Sequence, residues 1–369
     1  MSSVGGDTQK AGRRVTEAKR ALVVGATGIV GQAVAGLLVN HGWTTYGLSR
    51  SGGGPHGVTP VVTDLSDPDH LSSALAEVRP DLVAITAWTR CDTEAENIEV
   101  NGGAVRHLLG ALEPAGSVRH VALMTGLKHY LGPFEAYAVG KMPDTPFHEY
   151  EPRLSSPNFY YAQEDELFAA AARGDFTWSV HRAHTVFGFA TGNAMNMVAT
   201  ICAYATVCKE TGRPFVFPGS ETQWNGVTDV TDAELLAEQI LWCATDERGQ
   251  NEPFNIANGD VFRWRWLWPQ IAEYFGLEWE GFAGEPRTLE AAMAGVESTW
   301  QDIVARHGLV EPELARVASW WHTDGDLGRN IEVLTDMNKS RKAGFAAYRD
   351  TRDAFFRYAE RYRAARIIP

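Results

Sequence analysis

The chain lacks the features by which several classes of protein are recognised. It has only four cysteines, Cys91, Cys202, Cys208 and Cys243, and none of them stands in the C-x-x-C spacing of a zinc site or a redox pair. This scattered distribution predicts reduced core cysteines in a cytoplasmic protein, and it indicates neither a metal site nor a disulfide framework.

Long hydrophobic runs and an excess of positive charge are absent as well. The most apolar helical run, residues 195–208, is short and interrupted by Asn196 and Thr200, so it predicts a buried helix beside a pocket and no membrane span. The net charge of −13 argues against nucleic acid or an anionic membrane as a partner. Residues 1–19 are polar and basic without the apolar core of a signal peptide, and we expect a disordered tail there.

A glycine-rich loop follows the first predicted strand. Residues 21–24 read as a buried strand, and residues 25–31 lead directly into an apolar helix that ends near Asn40. In such a strand, turn and helix unit, Gly25 permits the turn, Gly28 admits a pyrophosphate, and Gly31 lets the helix pack on the strand. We assign six loop residues to a dinucleotide: Gly25, Thr27, Gly28, Ile29, Val30 and Gly31.

The ends of the next strands indicate which dinucleotide binds. The strand at 43–48 ends in Ser49 and Arg50, where an NAD enzyme usually has an acidic residue, and an arginine suits the 2′-phosphate of NADP(H). A surface arginine at a strand end is the alternative. Asp64 and Leu65 follow the third strand at the expected adenine edge. The strand at 81–85 leads into three further candidate cofactor residues: Thr86, Ala87 and Trp88.

Strands that alternate with helices predict an α/β fold of the Rossmann type, with a doubly wound parallel sheet. We expect the cofactor domain to comprise residues 20–190 together with about 227–258. Residues 191–226 and 259–369 are rich in tryptophan and helix formers. They predict a smaller, mostly helical domain that caps the open side of the sheet and binds substrate in the cleft.

One short motif imitates a catalytic site. Tyr137 and Lys141 match the Y-x-x-x-K pattern of short-chain dehydrogenases, and Thr125 lies twelve residues ahead. That pattern requires a continuous helix, whereas a glycine and two prolines interrupt this stretch, so we expect a loop.

Two other segments supply the same pair of groups. Tyr160 and Tyr161 open an uninterrupted helix-forming stretch, in which Glu164 and Asp165 occupy the places expected for lysine. Lys128 follows the strand at 120–124, on the edge of the sheet that faces cofactor and substrate. A solvated loop lysine and a pair of core aromatics are the alternative interpretation.

Longer motifs resemble the progesterone 5β-reductase and iridoid synthase-like short-chain reductases from about Arg20 to Pro369. They stand at residues 132–135, 158–165, 178–182, 187–189, 258–262 and 337–340. The resemblance implies an extended, atypical short-chain dehydrogenase that reduces an enone or enal in the 1,4 sense with NADPH. It implies Lys128 and Tyr160 as catalytic groups, Tyr161 as the reserve choice, and Thr125 and Val186 beside the cofactor.

The sequence departs from that family where substrate would bind. His184 stands where the family has a small residue, and it either reaches the nicotinamide or, in the favoured interpretation, caps a turn. His322 replaces a phenylalanine that closes the pocket in the plant enzymes, and its imidazole either hydrogen-bonds a polar substrate or fills the space. Together with Trp88 and Met195, these two residues form the candidate substrate site for an α,β-unsaturated carbonyl or a ketone.

Three functions therefore stay open at this point. The first is enone reduction, and the second is carbonyl reduction, or alcohol dehydrogenation, by the same residues. The third is a non-catalytic NADP-binding sensor, which requires Tyr160 to point into the core. Apolar helices on the sheet domain are compatible with a homodimer.

Overall fold

The computed structural model describes residues 18–133 and 144–369. Most of the predicted tail, residues 1–17, and the Tyr137 to Lys141 motif lie outside the described residues. Within the described part, no helix is both long and apolar enough to cross a membrane.

A seven-stranded parallel sheet forms the centre of the fold, in the order β10-β6-β5-β4-β1-β2-β3. The chain runs outward from β1 to β3, returns beside β1 with β4, and then runs outward the other way. The carboxyl ends of β1 and β4 therefore border the crevice in which open sheets of this kind bind ligands. The strands are β1 (Arg20–Val24), β2 (Thr44–Ser49), β3 (Thr59–Val62), β4 (Leu82–Ile85), β5 (His120–Gly126), β6 (Thr177–Ala183) and β10 (Glu252–Ile256).

Alternate residues of each strand face opposite layers of helices. In β1, Leu22 and Val24 pack into one core and Ala21 and Val23 into the other, because successive side chains of a strand point to opposite faces. The first layer contains α2 (Pro68–Leu75), α3 (Glu94–Leu112) and α5 (Phe159–Arg173), and the second contains α1 (Ile29–Asn40) and α8 (Ala233–Thr245). The prediction of a doubly wound Rossmann sheet is confirmed.

A third core lies outside the sheet and is rich in aromatic residues. Helix α6 (Met197–Thr211) is buried from residue 197 to 208 and packs with Trp264, Trp268 and Trp300. Two short strand pairs border it, β7 (Val186–Phe187) with β9 (Thr231–Asp232) and β8 (Phe215–Val216) with β11 (Trp279–Glu280). The remaining helices are α4 (Lys128–Leu131), α7 (Glu221–Asn225), α9 (Trp264–Phe275), α10 (Leu289–Ala292), α11 (Glu297–His307), α12 (Leu314–Val317), α13 (Trp320–Leu327), α14 (Asn338–Ala343) and α15 (Thr351–Ala364). The domain boundaries given above stay a prediction.

All four cysteines are free, as the sequence predicts, but only three are buried. Cys91 is half-buried on the loop after β4, so its assignment to the core is wrong. Its backbone N–H donates a hydrogen bond to Asn97 at 2.8 Å, which holds that loop against α3.

The glycines of α1 give a test of how tightly this helix packs on the turn after β1. A methyl group on Gly31 would lie 2.0 Å from the carbonyl oxygen of Gly25, whereas one on Gly36 would meet nothing within 4 Å. We expect Gly31→Ala to lower the free energy of unfolding by about 1 to 3 kcal/mol through overpacking. Gly36→Ala should raise it by about 0.5 to 1 kcal/mol, because alanine favours the helix. Urea denaturation of the cofactor-free protein measures both, and effects of the same sign would contradict the packing described.

Candidate active site

The turn between β1 and α1 has the geometry of an anion-binding loop. Gly25 has a φ of +85°, and Gly28 caps α1 without a side-chain hydrogen bond. The first turn of α1 carries no acidic residue, so no carboxylate of that turn offsets the positive end of the helix. The first backbone N–H groups of a helix have no intrahelical acceptors and can bind an anion.

Asn193, a residue that sequence reasoning missed, lies beside this loop. The amide nitrogen Nδ2 of Asn193 lies 3.5 Å from the position that a Cβ on Gly28 would occupy. Its Oδ1 accepts a hydrogen bond from the Met195 backbone at 2.9 Å, which fixes the side chain. The half-buried Met195 therefore lies just beyond the loop. The sequence marks residues 191–197 only as a departure from the family.

The ends of β2 and β3 carry the residues predicted to bind the adenosine part of the cofactor. Ser49 is buried, and its hydroxyl has no hydrogen-bond partner among the described residues, while Arg50 is exposed beside it. Two hydrogen bonds from Ser66 lower the pKa of Asp64, and the nearby charge of Arg50 lowers it further. Leu65 is half-buried, and its carbonyl contacts His107 Nδ1 at 2.9 Å.

The predicted residues after β4 lie against the glycine turn. Thr86 Oγ1 donates to the Val24 carbonyl at 2.7 Å, and the Ala87 Cβ lies 2.7 Å from where a Cβ on Gly25 would be. Trp88 stacks on Phe159 with ring centroids 5.1 Å apart. These contacts bring the end of β4 and the start of α5 into one place.

The two remaining cofactor predictions lie on the strands beyond. Thr125 lies near the end of β5, is 1% exposed, and has a hydroxyl without a hydrogen-bond partner among the described residues. Val186, in β7, is half-buried.

Lys128 begins α4, directly after the carboxyl end of β5. It is 5% exposed, which differs from the alternative of a solvated loop lysine. Its ammonium nitrogen lies 3.7 Å from Glu94 Oε2 and 4.6 Å from the centroid of the Phe159 ring. A buried ammonium group therefore lies next to a carboxylate and an aromatic ring.

The two tyrosines of α5 occupy different environments. Tyr160 is half-buried, and its hydroxyl oxygen lies 3.2 Å from the position of a Cβ on Gly126, the last residue of β5. The Tyr161 hydroxyl donates to the His129 carbonyl at 2.6 Å and accepts from the Leu154 backbone at 3.0 Å. The Tyr161 hydroxyl is thus committed to two backbone groups, while the Tyr160 hydroxyl lies at the strand end.

Asn158 joins the lysine segment to the tyrosine helix. Its side-chain oxygen accepts from the Tyr160 backbone N–H at 3.0 Å and caps α5, while its Nδ2 donates to the Lys128 carbonyl at 2.7 Å. Asparagine before a helix-forming stretch is a readable capping signal. Its bond to a carbonyl thirty positions away is not.

Glu94 makes a second connection and was also missed by sequence reasoning. Its Oε1 accepts the Phe159 backbone N–H at 2.7 Å, and its Oε2 faces the Lys128 ammonium. Glu94 is the first residue of α3, whose capping box between Thr93 and Glu96 fixes the helix start. The Glu94 carboxylate therefore links α3 to α4 and to α5.

Glu164, which stands at a place expected for the helix lysine, pairs with two arginines. Glu164 is 2% exposed and accepts from Arg153 at 2.8 Å, and its Oε1 lies 3.7 Å from Arg182 Nη2. Burial raises the pKa of Glu164, and the two guanidinium groups oppose that rise. Arg182 in turn donates to the Tyr130 hydroxyl at 3.2 Å. This buried network fixes α5 against β6 beneath the site.

Helix α13 contacts the segments that follow β4 and β6. The guanidinium carbon of Arg90, on the loop after β4, lies 4.2 Å from the centroid of the Trp321 ring. At the other end of the helix, the hydroxyl of Thr185, after β6, donates to Asp326 at 3.0 Å. The helix therefore bridges the segments that follow the two neighbours of β5 in the sheet.

His322 lies on α13 four positions before Asp326, so both face the same side of the helix. It is half-buried, its Nδ1 has no hydrogen-bond partner among the described residues, and burial lowers its pKa. The imidazole is therefore neutral at pH 7 and can both donate and accept a hydrogen bond.

His184 differs from the favoured turn-capping interpretation, because its Nε2 makes a short hydrogen bond to the buried side chain of Asp229. Within the described residues, no group of three potential ligands has the arrangement of a metal site.

Comparison with known proteins agrees with this architecture. Residues 83–369 match the family model described as a PRISE-like Rossmann-fold domain. The chain is 40% identical over 363 residues to a 3-oxo-Δ4,5-steroid 5β-reductase of Arabidopsis thaliana, covering 95% of this chain and 93% of the relative. It is 38% identical over 364 residues to the (S)-8-oxocitronellyl enol synthase CYC2 of Camptotheca acuminata, with the same coverage.

Solved structures share the fold at lower identity. A UDP-glucose 4-epimerase of Thermus thermophilus in complex with NAD has a TM-score of 0.66 at 18% identity, covering 94% of this chain and 99% of the epimerase. A UDP-glucose 4-epimerase of Thermotoga maritima has a TM-score of 0.67 at 17% identity, with the same coverage. Likeness at this identity concerns the fold alone.

The pairing of Glu94 with Lys128 predicts a measurable coupling. Glu94→Gln keeps an oxygen that can accept the Phe159 N–H but removes the negative charge beside the ammonium. We expect the free energy of unfolding at pH 7 to fall by about 1 to 3 kcal/mol in urea denaturation. Glu99→Gln, an exposed change on the same helix, should stay within about 0.5 kcal/mol of the unmodified protein.

A double-mutant cycle with Lys128→Met isolates the pair itself. The coupling energy should reach about 1 kcal/mol or more if the two charges interact as their distance indicates. Strict additivity of the two changes would show that Glu94 acts only through α5.

Proposed function

The chain belongs to the PRISE-like Rossmann-fold family, and from that premise we propose that it is an NADPH-dependent oxidoreductase that reduces the C=C bond of an enone or enal. The names of two relatives describe this chemistry. A 3-oxo-Δ4,5-steroid carries a carbonyl conjugated with a double bond, and the name of the enol synthase describes an enol product. The observations that support the proposal are the Tyr160 hydroxyl beside Gly126, at the end of β5, and the buried ammonium of Lys128, two residues further along the chain.

The chemistry asks for stabilisation of one developing negative charge. When NADPH is bound it supplies a hydride, and addition of that hydride to the β-carbon moves negative charge onto the carbonyl oxygen of the substrate. The Tyr160 hydroxyl donates a hydrogen bond to that oxygen, in the manner of an oxyanion hole. The Lys128 ammonium adds a favourable field, which is strong because little water surrounds it. Hydrogen bonds of Asn158 and Glu94 hold the start of α5 in place relative to the Lys128 segment and α3.

Tyr160 is our choice over Tyr161 because its hydroxyl lies beside Gly126, at the end of β5, whereas that of Tyr161 points to a backbone carbonyl. The Tyr161 hydroxyl already donates to the His129 carbonyl, and a hydroxyl has one proton to donate. The position of the Tyr160 hydroxyl beside Gly126 also argues against a non-catalytic sensor, which would require that ring in the core.

The residues of the crevice fit a nicotinamide dinucleotide, and we propose NADP(H). The loop from Gly25 to Gly31 would hold the diphosphate at the start of α1, with Asn193 as a further donor from the cap. The unsatisfied hydroxyl of Ser49 and the exposed cation of Arg50 would bind the ribose and its 2′-phosphate. Asp64 and Leu65 would border the adenine. We assign the nicotinamide end to Thr86, Ala87, Trp88, Thr125 and Val186.

The substrate is a small α,β-unsaturated carbonyl or ketone bound under α13. We assign Trp88, Met195 and His322 to this pocket, with the neutral imidazole of His322 as its polar group. A homodimer and a cytoplasmic location stay predictions.

Incubation with 2-cyclohexen-1-one and NADPH tests the reaction. We expect oxidation of NADPH with cyclohexanone as the product, identified by gas chromatography. Formation of 2-cyclohexen-1-ol would instead indicate carbonyl reduction by the same groups. A protein that binds NADPH tightly but turns over no carbonyl compound would be a sensor.

Tyr160→Phe should lower turnover by about 10²- to 10³-fold with little change in NADPH affinity, because it removes only the donor to the oxyanion. The matched control is Tyr161→Phe, which should lower stability by about 1 kcal/mol while turnover per folded molecule stays close to that of the unmodified protein. A larger loss of turnover in the control would exchange the roles of the two tyrosines.

Cofactor preference gives an independent test. Arg50→Ala removes the cation expected at the 2′-phosphate and should lower the preference of kcat/KM for NADPH over NADH by about tenfold or more. Arg173→Ala, an exposed change at the far end of α5, serves as the control. An unchanged preference in the first variant would remove Arg50 from the site.

A further inference from the structure

A buried histidine and aspartate pair lies at the carboxyl edge of β6. His184 is 8% exposed and Asp229 is 2% exposed, and Nε2 of the ring makes a short hydrogen bond to the carboxylate. Asp229 is held on its other oxygen by the backbone N–H of Thr335 at 2.8 Å. The pair is therefore rigid, and the ring orientation is set by the carboxylate.

The second nitrogen of the ring is unused. Nδ1 of His184 is buried and has no hydrogen-bond partner among the described residues. Since the two nitrogens lie on opposite sides of the imidazole, Nδ1 points away from Asp229. A buried polar atom without a partner is costly unless a ligand or a reacting group satisfies it.

His184 directly follows β6, next to the place where the Tyr160 hydroxyl approaches the end of β5. Gly126 of β5 pairs with Ala183 of β6. A Cβ built on Gly126 would lie 2.6 Å from the Ala183 carbonyl oxygen and 3.2 Å from the Tyr160 hydroxyl. The peptide group between Ala183 and His184 is therefore a neighbour of the Tyr160 hydroxyl.

We propose that His184, oriented by Asp229, delivers a proton to the α-carbon of the reduced substrate. The inference rests on the proposed enone reduction, which adds a hydride to the β-carbon and needs one proton to complete the product. Histidine is suited to give and regain a proton near neutral pH. The carboxylate orients the ring and balances the charge of its protonated form.

The step balances in atoms and charge. Hydride addition forms a C–H bond at the β-carbon, and the π electrons of the C=C bond move toward the carbonyl to give an enolate held by Tyr160 and Lys128. The enolate then forms a C–H bond at the α-carbon with the Nδ1 proton of the protonated His184. The neutral ring regains a proton at Nδ1 from solvent once the product has left, before the next cycle.

Reduction in D₂O distinguishes delivery by the protein from protonation in solvent. The enone that the protein reduces is converted with NADPH in D₂O, and NMR gives the face of the α-carbon that carries deuterium. We expect deuterium on one face only. An enol that leaves the site before protonation would take deuterium on both faces, and that result would overturn the proposal.

Two substitutions locate the donor. His184→Asn and Asp229→Asn should each distribute deuterium over both faces, and His184→Asn should lower kcat about 10²-fold while KM changes little. The control is His120→Asn, which changes a buried histidine at the amino end of β5. This variant should keep deuterium on one face. Variants at His184 that keep the selectivity of the unmodified protein would show that the ring is not the donor.

The two levels of the hypothesis fail in different ways. A folded, NADPH-binding protein that reduces no enone overturns the proposed function and the proton donor with it. A protein that reduces the enone and places deuterium on both faces overturns the donor alone.

Discussion

The hydrogen bond from the Asn158 side chain to the Lys128 carbonyl is the constraint on which the candidate site depends. In dehydrogenases that carry tyrosine and lysine on one helix, the helix itself sets their separation. Here the two groups come from segments thirty positions apart, so their spacing requires a tertiary bond. Asn158 supplies it while also capping α5, and Glu94 supplies a second bond to the same helix start. The arrangement requires two buried polar contacts, those of Asn158 and Glu94. It lets Lys128 and Tyr160 approach the end of β5 from different directions.

The polar network behind α5 follows from the same arrangement. With lysine absent from the helix, Glu164 occupies the corresponding interior position and is matched by Arg153 and Arg182. A buried carboxylate without such partners would not remain ionised. The network therefore belongs to the frame of the site, because it fixes the strand that leads to His184 and the helix that carries Tyr160.

Much of the fold was predictable because its signals are local. The alternation of strands and helices gave the parallel sheet, and residues 25–31 gave the dinucleotide turn whose close contacts the structure shows at Gly25 and Gly31. The choice between Tyr160 and Tyr161 was not readable, since adjacent helical residues differ only by a rotation of about 100°. It became visible once the His129 carbonyl was found at the Tyr161 hydroxyl. The pairing of His184 with Asp229 spans forty-five positions, and no periodicity in the sequence records it.

Helix α13 adds a consequence for the making of the protein. The central sheet begins at Arg20 and is complete at Ile256, whereas α13 consists of residues 320–327. During synthesis on the ribosome, the whole sheet therefore leaves the exit tunnel before α13 can bridge the segments after β4 and β6. A nascent chain thus acquires the proposed coenzyme elements first and the helix proposed to cover the substrate last.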